Sequence, residues 1–291
     1  MGPTLAPDTH ALTLRRGDLV FDALATGPAD GPPVLFLHGF PEFATCWRAE
    51  MAACAQAGFR AVAVDQRGYS PGARPADTAA YAVPHLVGDV LAFADALGAE
   101  RFHLVGHDWG GVVAWPTAAD HPERITSLTS LSTPHPRALA EVMAGSAEQR
   151  ERLGYIRLFR KPGTAEEYLL SDGADRLAAV YEGRVPEDLL ADNVRRLSEE
   201  GALTAALNWY RALARDSADA GTVAVPTLYV WGEHDLAYTA ASARATGRRV
   251  SGPYWYVELD GASHWLPEEA ADRVVPPLLE HLRAAQEDAP A

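Results

Sequence analysis

An aspartate stands among glycines in Val105-Gly106-His107-Asp108-Trp109-Gly110-Gly111, where an apolar run ends and helical spacing begins. Glycines at such a junction let a strand turn sharply into a helix and lift the central side chain clear of a sheet. In the common version of this turn the middle residue is serine. A carboxylate in its place can attack carbon directly, and the N-terminus of the following helix favours its ionised form. The pattern predicts Asp108 as a nucleophile that forms an ester. The plain alternative is a glycine-flanked aspartate in an ordinary loop.

A nucleophile of this kind needs a base, a group to orient the base, and donors for an oxyanion. His264, in Gly261-Ala262-Ser263-His264-Trp265, follows the last strand-like run among small residues, which suits a general base. His10, His85, His121 and His281 read instead as solvated histidines. Asp235 follows a buried-strand pattern in Trp231-Gly232-Glu233-His234-Asp235 and could hold the His264 tautomer, with Glu233 the second choice. After the strand ending at Leu131 the segment Ser132-Thr133-Pro134-His135-Pro136 offers no carboxylate. His38-Gly39-Phe40-Pro41 ends another apolar run and should aim the Phe40 amide at Asp108, with the Trp109 amide as the second oxyanion donor.

These residues must be carried by elements that bring them to one edge. Residues 11–14 and 19–24 read as an edge hairpin, and 34–37, 59–65, 102–105 and 125–131 as buried strands. Helical spacing over 45–57, 84–97 and 109–119 alternates with them, a βαβ pattern that predicts a doubly wound, mostly parallel sheet. From residue 134 to about 220 strand-like runs disappear, and helical stretches follow one another with breaks at Gly145, Pro162-Gly163, Gly173, Gly183, Pro186 and Gly201. Strands over 226–232 and 254–259, a helix near 238–246 and a last helix over 267–283 then resume the sheet. The polar tail 286–291 should fray.

Composition narrows the classes further. A chain of 291 residues with 48% hydrophobic and 22% charged residues is ordinary for a globular protein. The formal charge of −14 works against nucleic-acid and anionic-membrane partners. Cys46 and Cys54, the only cysteines, lie eight positions apart on one apparent helix and indicate neither a disulfide nor a metal site. No apolar run is long enough to span a bilayer and no leader pattern opens the chain, so a cytoplasmic enzyme is the expectation. No heptad or distinctive patch fixes an oligomeric state.

Taken together, His38-Gly39-Phe40-Pro41, Asp65-Gln66-Arg67-Gly68-Tyr69-Ser70, Gly106-His107-Asp108-Trp109-Gly110, Asp235 and His264 resemble, in type and order, the motifs of α/β-hydrolases of the epoxide hydrolase group. The likeness spans nearly the whole chain. It implies an α/β-hydrolase fold: an eight-stranded, mostly parallel sheet flanked by helices, with core segments 1–133 and 221–291 and an all-helical cap over 134–220. It also implies two cap tyrosines that hold the epoxide oxygen, matched here by Tyr210 in Asn208-Trp209-Tyr210-Arg211 and by Tyr155 ahead of Pro162-Gly163, with Tyr168 and Tyr181 as substitutes for Tyr155. His38, Trp109, Trp209 and Trp265 become candidates to border the substrate, although His38 is also suited to bonding the backbone. The implied reaction takes an epoxide to a vicinal diol through an Asp108 ester and needs no cofactor or metal.

The same Asp-His-Asp set occurs in haloalkane dehalogenases, where the Trp109 indole would hold a halide. Those relatives often carry asparagine after His-Gly, whereas Phe40 has no side-chain donor. A non-catalytic ligand-binding homologue is the other alternative, and a broken catalytic set would mark it.

Overall fold

The computed structural model describes residues 2–213 and 220–287. Eight strands form a single sheet: β1 (His10–Arg16), β2 (Leu19–Thr26), β3 (Pro33–Leu37), β4 (Arg60–Val64), β5 (Phe102–His107), β6 (Ile125–Leu131), β7 (Thr227–Gly232) and β8 (Tyr254–Leu259). Their order is β1-β2-β4-β3-β5-β6-β7-β8. β1 and β2 form the antiparallel hairpin at one edge, β2 also pairs antiparallel with β4, and every later pairing is parallel.

Strand sequences explain this placement. β5 is buried at all six positions and β6 at all seven, as parallel strands covered on both faces must be. In β3 and β4, Val34, Phe36, Ala61 and Ala63 pack on one side, and Leu35, Leu37, Val62 and Val64 on the other. The first side is covered by helix α1 (Arg48–Gln56) and by the C-terminal helix, the second by α2 (Val83–Ala96) and α3 (Trp109–Asp120). Each fully buried Val, Leu or Phe contributes roughly 1.5–3 kcal/mol over its exposed state, so two such faces account for most of the driving force.

Between β6 and β7 the named elements among the described residues are all helices: α4 (Pro136–Gly145), α5 (Ala147–Arg152), α6 (Ile156–Phe159), α7 (Thr164–Ala179), α8 (Glu187–Leu197) and α9 (Ala202–Ala212). α7 is kinked, with Ser171 to Ala174 leaving helical geometry around Gly173. Residues 214–219, within the segment expected to be helical, lie outside the described residues. The last part of the chain supplies α10 (Ala240–Ala245), α11 (Leu266–Glu269) and α12 (Ala271–Glu287).

Three expectations change in detail. The stretch 45–57 is a 3-10 turn over Ala44–Trp47 followed by α1, so Cys46 and Cys54 sit on consecutive pieces; both are buried free thiols. The helix expected over 267–283 is α11 and α12, because Ala270 leaves helical geometry at φ −132°. Gln286 and Glu287, expected to fray, continue α12, and residues 288–291 lie outside the described residues. Among the described residues no helix is long and apolar enough to cross a membrane.

Candidate active site

Asp108 sits at the end of β5 with φ 46° and ψ −116°, left-handed backbone that is unusual for a non-glycine residue. The turn holds only because the chain packs tightly around it. A Cβ at Gly110 would run into the Leu37 carbonyl of β3, and one at Gly39 would strike the Asp108 carboxylate. Thr133 Oγ1, two residues past β6, fixes the turn by donating to the Asp108 carbonyl at 2.8 Å. The strain thus places one carboxylate, 6% exposed, at the mouth of the sheet.

The other sequence candidates converge on it. The Phe40 amide donates to Asp108 Oδ1 at 2.8 Å. Trp109, at the first position of α3, has an amide with no partner available within its own helix. His264 Nε2 lies 3.5 Å from Asp108 Oδ2, and its Nδ1 lies 3.0 Å from Asp235 Oδ2. Asp235 Oδ1 accepts from the Ala237 and Tyr238 amides at 2.7 and 2.9 Å, so the orienting carboxylate is itself held. Glu233, the second choice for this position, instead accepts from the exposed Gly261 amide. Burial opposes charge on His264, but Asp235 and then Asp108 outweigh it and hold the imidazole well above the usual histidine range.

Opposite Asp108 are the helices that follow β6. Tyr155, between α5 and α6, and Tyr210 of α9 border the same space as Asp108, with their ring centroids 6.3 Å apart. Burial, followed by neighbouring negative groups, pushes both phenols upward, so each keeps its proton. The alternatives to Tyr155 are placed elsewhere. Tyr168 is 43% exposed, and Tyr181 is fully buried with its hydroxyl donating to the Pro41 carbonyl at 2.6 Å.

Of the four residues expected to border a substrate, Trp265 lines one cavity beside Asp108 and Trp109 a second. His38 and Trp209 line neither cavity beside Asp108 and are corrected here. His38 is fully buried, bonds the Gly39 carbonyl through Nδ1 and accepts the Gln66 amide on Nε2. Trp209 donates from Nε1 to the Arg67 carbonyl at 2.7 Å and packs edge-on to Trp109. In both, a polar ring atom that needs a partner in a dry interior draws the side chain to the backbone.

Beneath the catalytic edge is a buried layer that the sequence reading missed. His107 lies between Glu42 Oε2, 2.9 Å from Nδ1, and the His264 carbonyl, 2.8 Å from Nε2. Ser132 Oγ donates to the same carbonyl at 2.7 Å, which fixes the His264 backbone twice. Burial works against the Glu42 charge, yet His107 overrides it and holds the carboxyl down at about 2. Nearby Glu50 and Glu268 have both carboxyl oxygens buried. Burial pushes Glu50 up to about 8, and burial together with the Glu42 charge pushes Glu268 well above the carboxylate range. The only signal for this layer was adjacency: Glu42 follows Pro41, and His107 precedes Asp108. Tyr238, 6.0 Å from His264 between ring centroids, and Gln149, which bonds the Asp235 loop, carried no signal at all.

Comparison with known proteins identifies the family. The family profile described as alpha/beta hydrolase fold matches residues 32–271. The chain is 35% identical to epoxide hydrolase A of Mycobacterium tuberculosis, over 94% of this chain and 95% of that one. It is 32% identical to epoxide hydrolase 3 of Xenopus tropicalis, over 90% of this chain and 74% of that one. Among solved structures, epoxide hydrolase A from Mycobacterium thermoresistibile superposes with a TM-score of 0.82 at 26% identity, covering 94% of this chain and 98% of that one. With an elbow aspartate, its histidine and acid, and an eight-stranded sheet behind them, this chain belongs to the alpha/beta hydrolase family and, within it, to the epoxide hydrolase group.

Proposed function

We propose that the protein hydrolyses an epoxide to a vicinal diol through an ester on Asp108, and that residues 134–220 act as the cap over that site. The observation that carries the reading is an elbow carboxylate facing two protonated tyrosines, Tyr210 buried and Tyr155 half-buried, across one cavity. Asp108 attacks one ring carbon from the side opposite the departing oxygen. That C–O bond breaks, the electron pair goes to the oxygen, and Tyr155 and Tyr210 stabilise and protonate it. The epoxide oxygen stays on the neighbouring carbon as the first hydroxyl.

Esterification also removes the Asp108 charge, one of the two carboxylates that keep His264 protonated, and so favours the neutral imidazole required next. His264, oriented by Asp235, then takes a proton from water, which attacks the Asp108 carbonyl carbon. The Phe40 and Trp109 amides hold the oxyanion, worth about 3–4 kcal/mol per donor in comparable sites. Collapse expels the diol's second oxygen, which comes from Asp108 and takes the proton held by His264, and the proton shed as Asp108 returns to carboxylate makes good the one the tyrosine pair gave up. The chemistry draws on no metal or organic cofactor.

Replacing His264 with Gln should leave ring opening possible and block the second step, so an epoxide should add its own mass to the intact protein. Asp108→Asn should abolish that adduct. An unmodified His264→Gln protein after exposure to a substrate of the wild type would overturn the covalent route. Release of halide from a matched haloalkane in preference to diol from the epoxide would move the assignment to dehalogenation.

A further inference from the structure

Glu42 touches both halves of the catalytic edge. Its Oε2 accepts from the Gly39 amide at 3.2 Å, and its own amide donates to the Gly39 carbonyl at 3.0 Å, which closes the turn carrying the Phe40 amide. The same Oε2 lies 2.9 Å from His107 Nδ1, and His107 Nε2 donates to the His264 carbonyl at 2.8 Å. A shift of this one carboxyl group would therefore move an oxyanion donor and the backbone of the general base together. Its second oxygen decides whether it stays in place.

Glu42 Oε1 is buried with no donor among the described residues. Glu268 of α11 lies within hydrogen-bond reach of Glu42. Both Glu268 oxygens are buried and unmatched as well, although the residue as a whole is half-buried. Two facing carboxylates would leave three buried acceptors with nothing to accept, which native interiors avoid. One proton between them removes the conflict, and a hydrogen bond from a neutral acid to a carboxylate is among the strong ones.

The neighbours decide which group carries that proton. Glu42 has the Gly39 amide and His107 against its Oε2. Glu268 has as titratable neighbours Glu42, Glu50 of α1, the Cys46 thiol ahead of α1 and the Tyr181 phenol after α7, none of which supplies positive charge. Burial and then the Glu42 charge push Glu268 well above the carboxylate range, in agreement with the geometry.

Resting on the ester mechanism above, we propose that Glu268 is a positioning residue for the second step: its carboxyl hydroxyl donates to Glu42 Oε1 and clamps Glu42 against the Gly39 amide and His107, which keeps His264 and the Phe40 amide in register around the ester. Ester formation depends less on this clamp. It uses Asp108 and the two tyrosines, and Asp108 has its own fixings in the tight turn and at Thr133. Hydrolysis needs His264 to reach a water and Phe40 to meet the oxyanion, and both are tied to Glu42.

The test compares Glu268→Gln, which keeps a donor where the hydroxyl was, with Glu268→Met, which is similar in length and has none. Ester is formed in a single turnover with an epoxide that the wild type accepts, and its decay is followed by intact mass. Each decay constant belongs to ester already formed, so any unfolded fraction drops out. In Glu268→Met the decay should slow by about tenfold while ester formation changes by less than about threefold, and Glu268→Gln should bring decay back to within about twofold of the wild type. Decay at the wild-type rate in Glu268→Met, or equal slowing in both variants, would overturn the proposal.

Infrared difference spectra without substrate probe the proton itself. Wild type minus Glu268→Gln at neutral pH should show the C=O stretch of a protonated carboxyl group, and a carboxylate band in its place would overturn the clamp. The two arms also separate this proposal from the reading it rests on. A protonated-carboxyl band in a wild type that forms no ester would sink the ester mechanism, and with it the role assigned to Glu268, while leaving the hydrogen bond to Glu42 in place.

Discussion

At the residue scale the site is a balance of protonation states. Asp108 is fixed through Oδ1 by the Phe40 amide, while His264 is held protonated between two carboxylates and the tyrosines are held neutral by burial. Removing one phenolic hydroxyl leaves the cavity shape nearly unchanged and takes away one proton donor. Tyr210→Phe should lower kcat by about 10²-fold, and the double change with Tyr155→Phe further, measured as ester formation in single turnovers. A fall confined to ester hydrolysis would count against the tyrosines as donors. Asp108, Asp235 and His264 were legible in the sequence because strand ends and glycines flank them. Tyr155 rested on resemblance alone. Glu42 and His107 were silent because their buried hydrogen bond joins two segments 65 positions apart, and nothing local to either announces the other.

At the element scale the sheet aligns the ends of β3, β5, β6 and β7, and the helices between β6 and β7 supply the opposite wall. The alternation of strands and helices was readable from burial pattern and period. How the helical segment docks was not, since its contacts are single side chains reaching across the fold. Gln149 of α5 is one: its amide donates to the Ala237 carbonyl at 2.7 Å, and its oxygen accepts from the Thr239 amide at 3.0 Å and from Ser242 Oγ at 2.6 Å. These are the residues that follow Asp235. Gln149→Ala would leave several buried groups unpaired and should cost about 2–3 kcal/mol in urea unfolding. It should also slow ester hydrolysis more than ester formation, since Asp235 serves the second step. A stable variant with both steps unchanged would show that the Asp235 loop holds its own shape.

At the scale of the whole molecule, the formal charge of −14 counts Glu50 and Glu268 as ionised and His264 as neutral. Their burial and neighbours reverse all three near pH 7. His38, His103 and His281 partly offset this, since burial lowers each and keeps them neutral when folded. The native protein therefore binds more protons than the unfolded chain, and each group raised in this way loses its contribution as pH climbs through its native pKa. Stability should fall as pH rises above about 6.5, the reverse of what paired surface carboxylates produce. The buried acid layer under His264 thus makes unfolding a proton-releasing reaction. Near pH 7 about two protons should pass to the buffer per molecule, so the calorimetric enthalpy should depend on the buffer's heat of ionisation, differing between Tris and phosphate by about twice the gap between those heats.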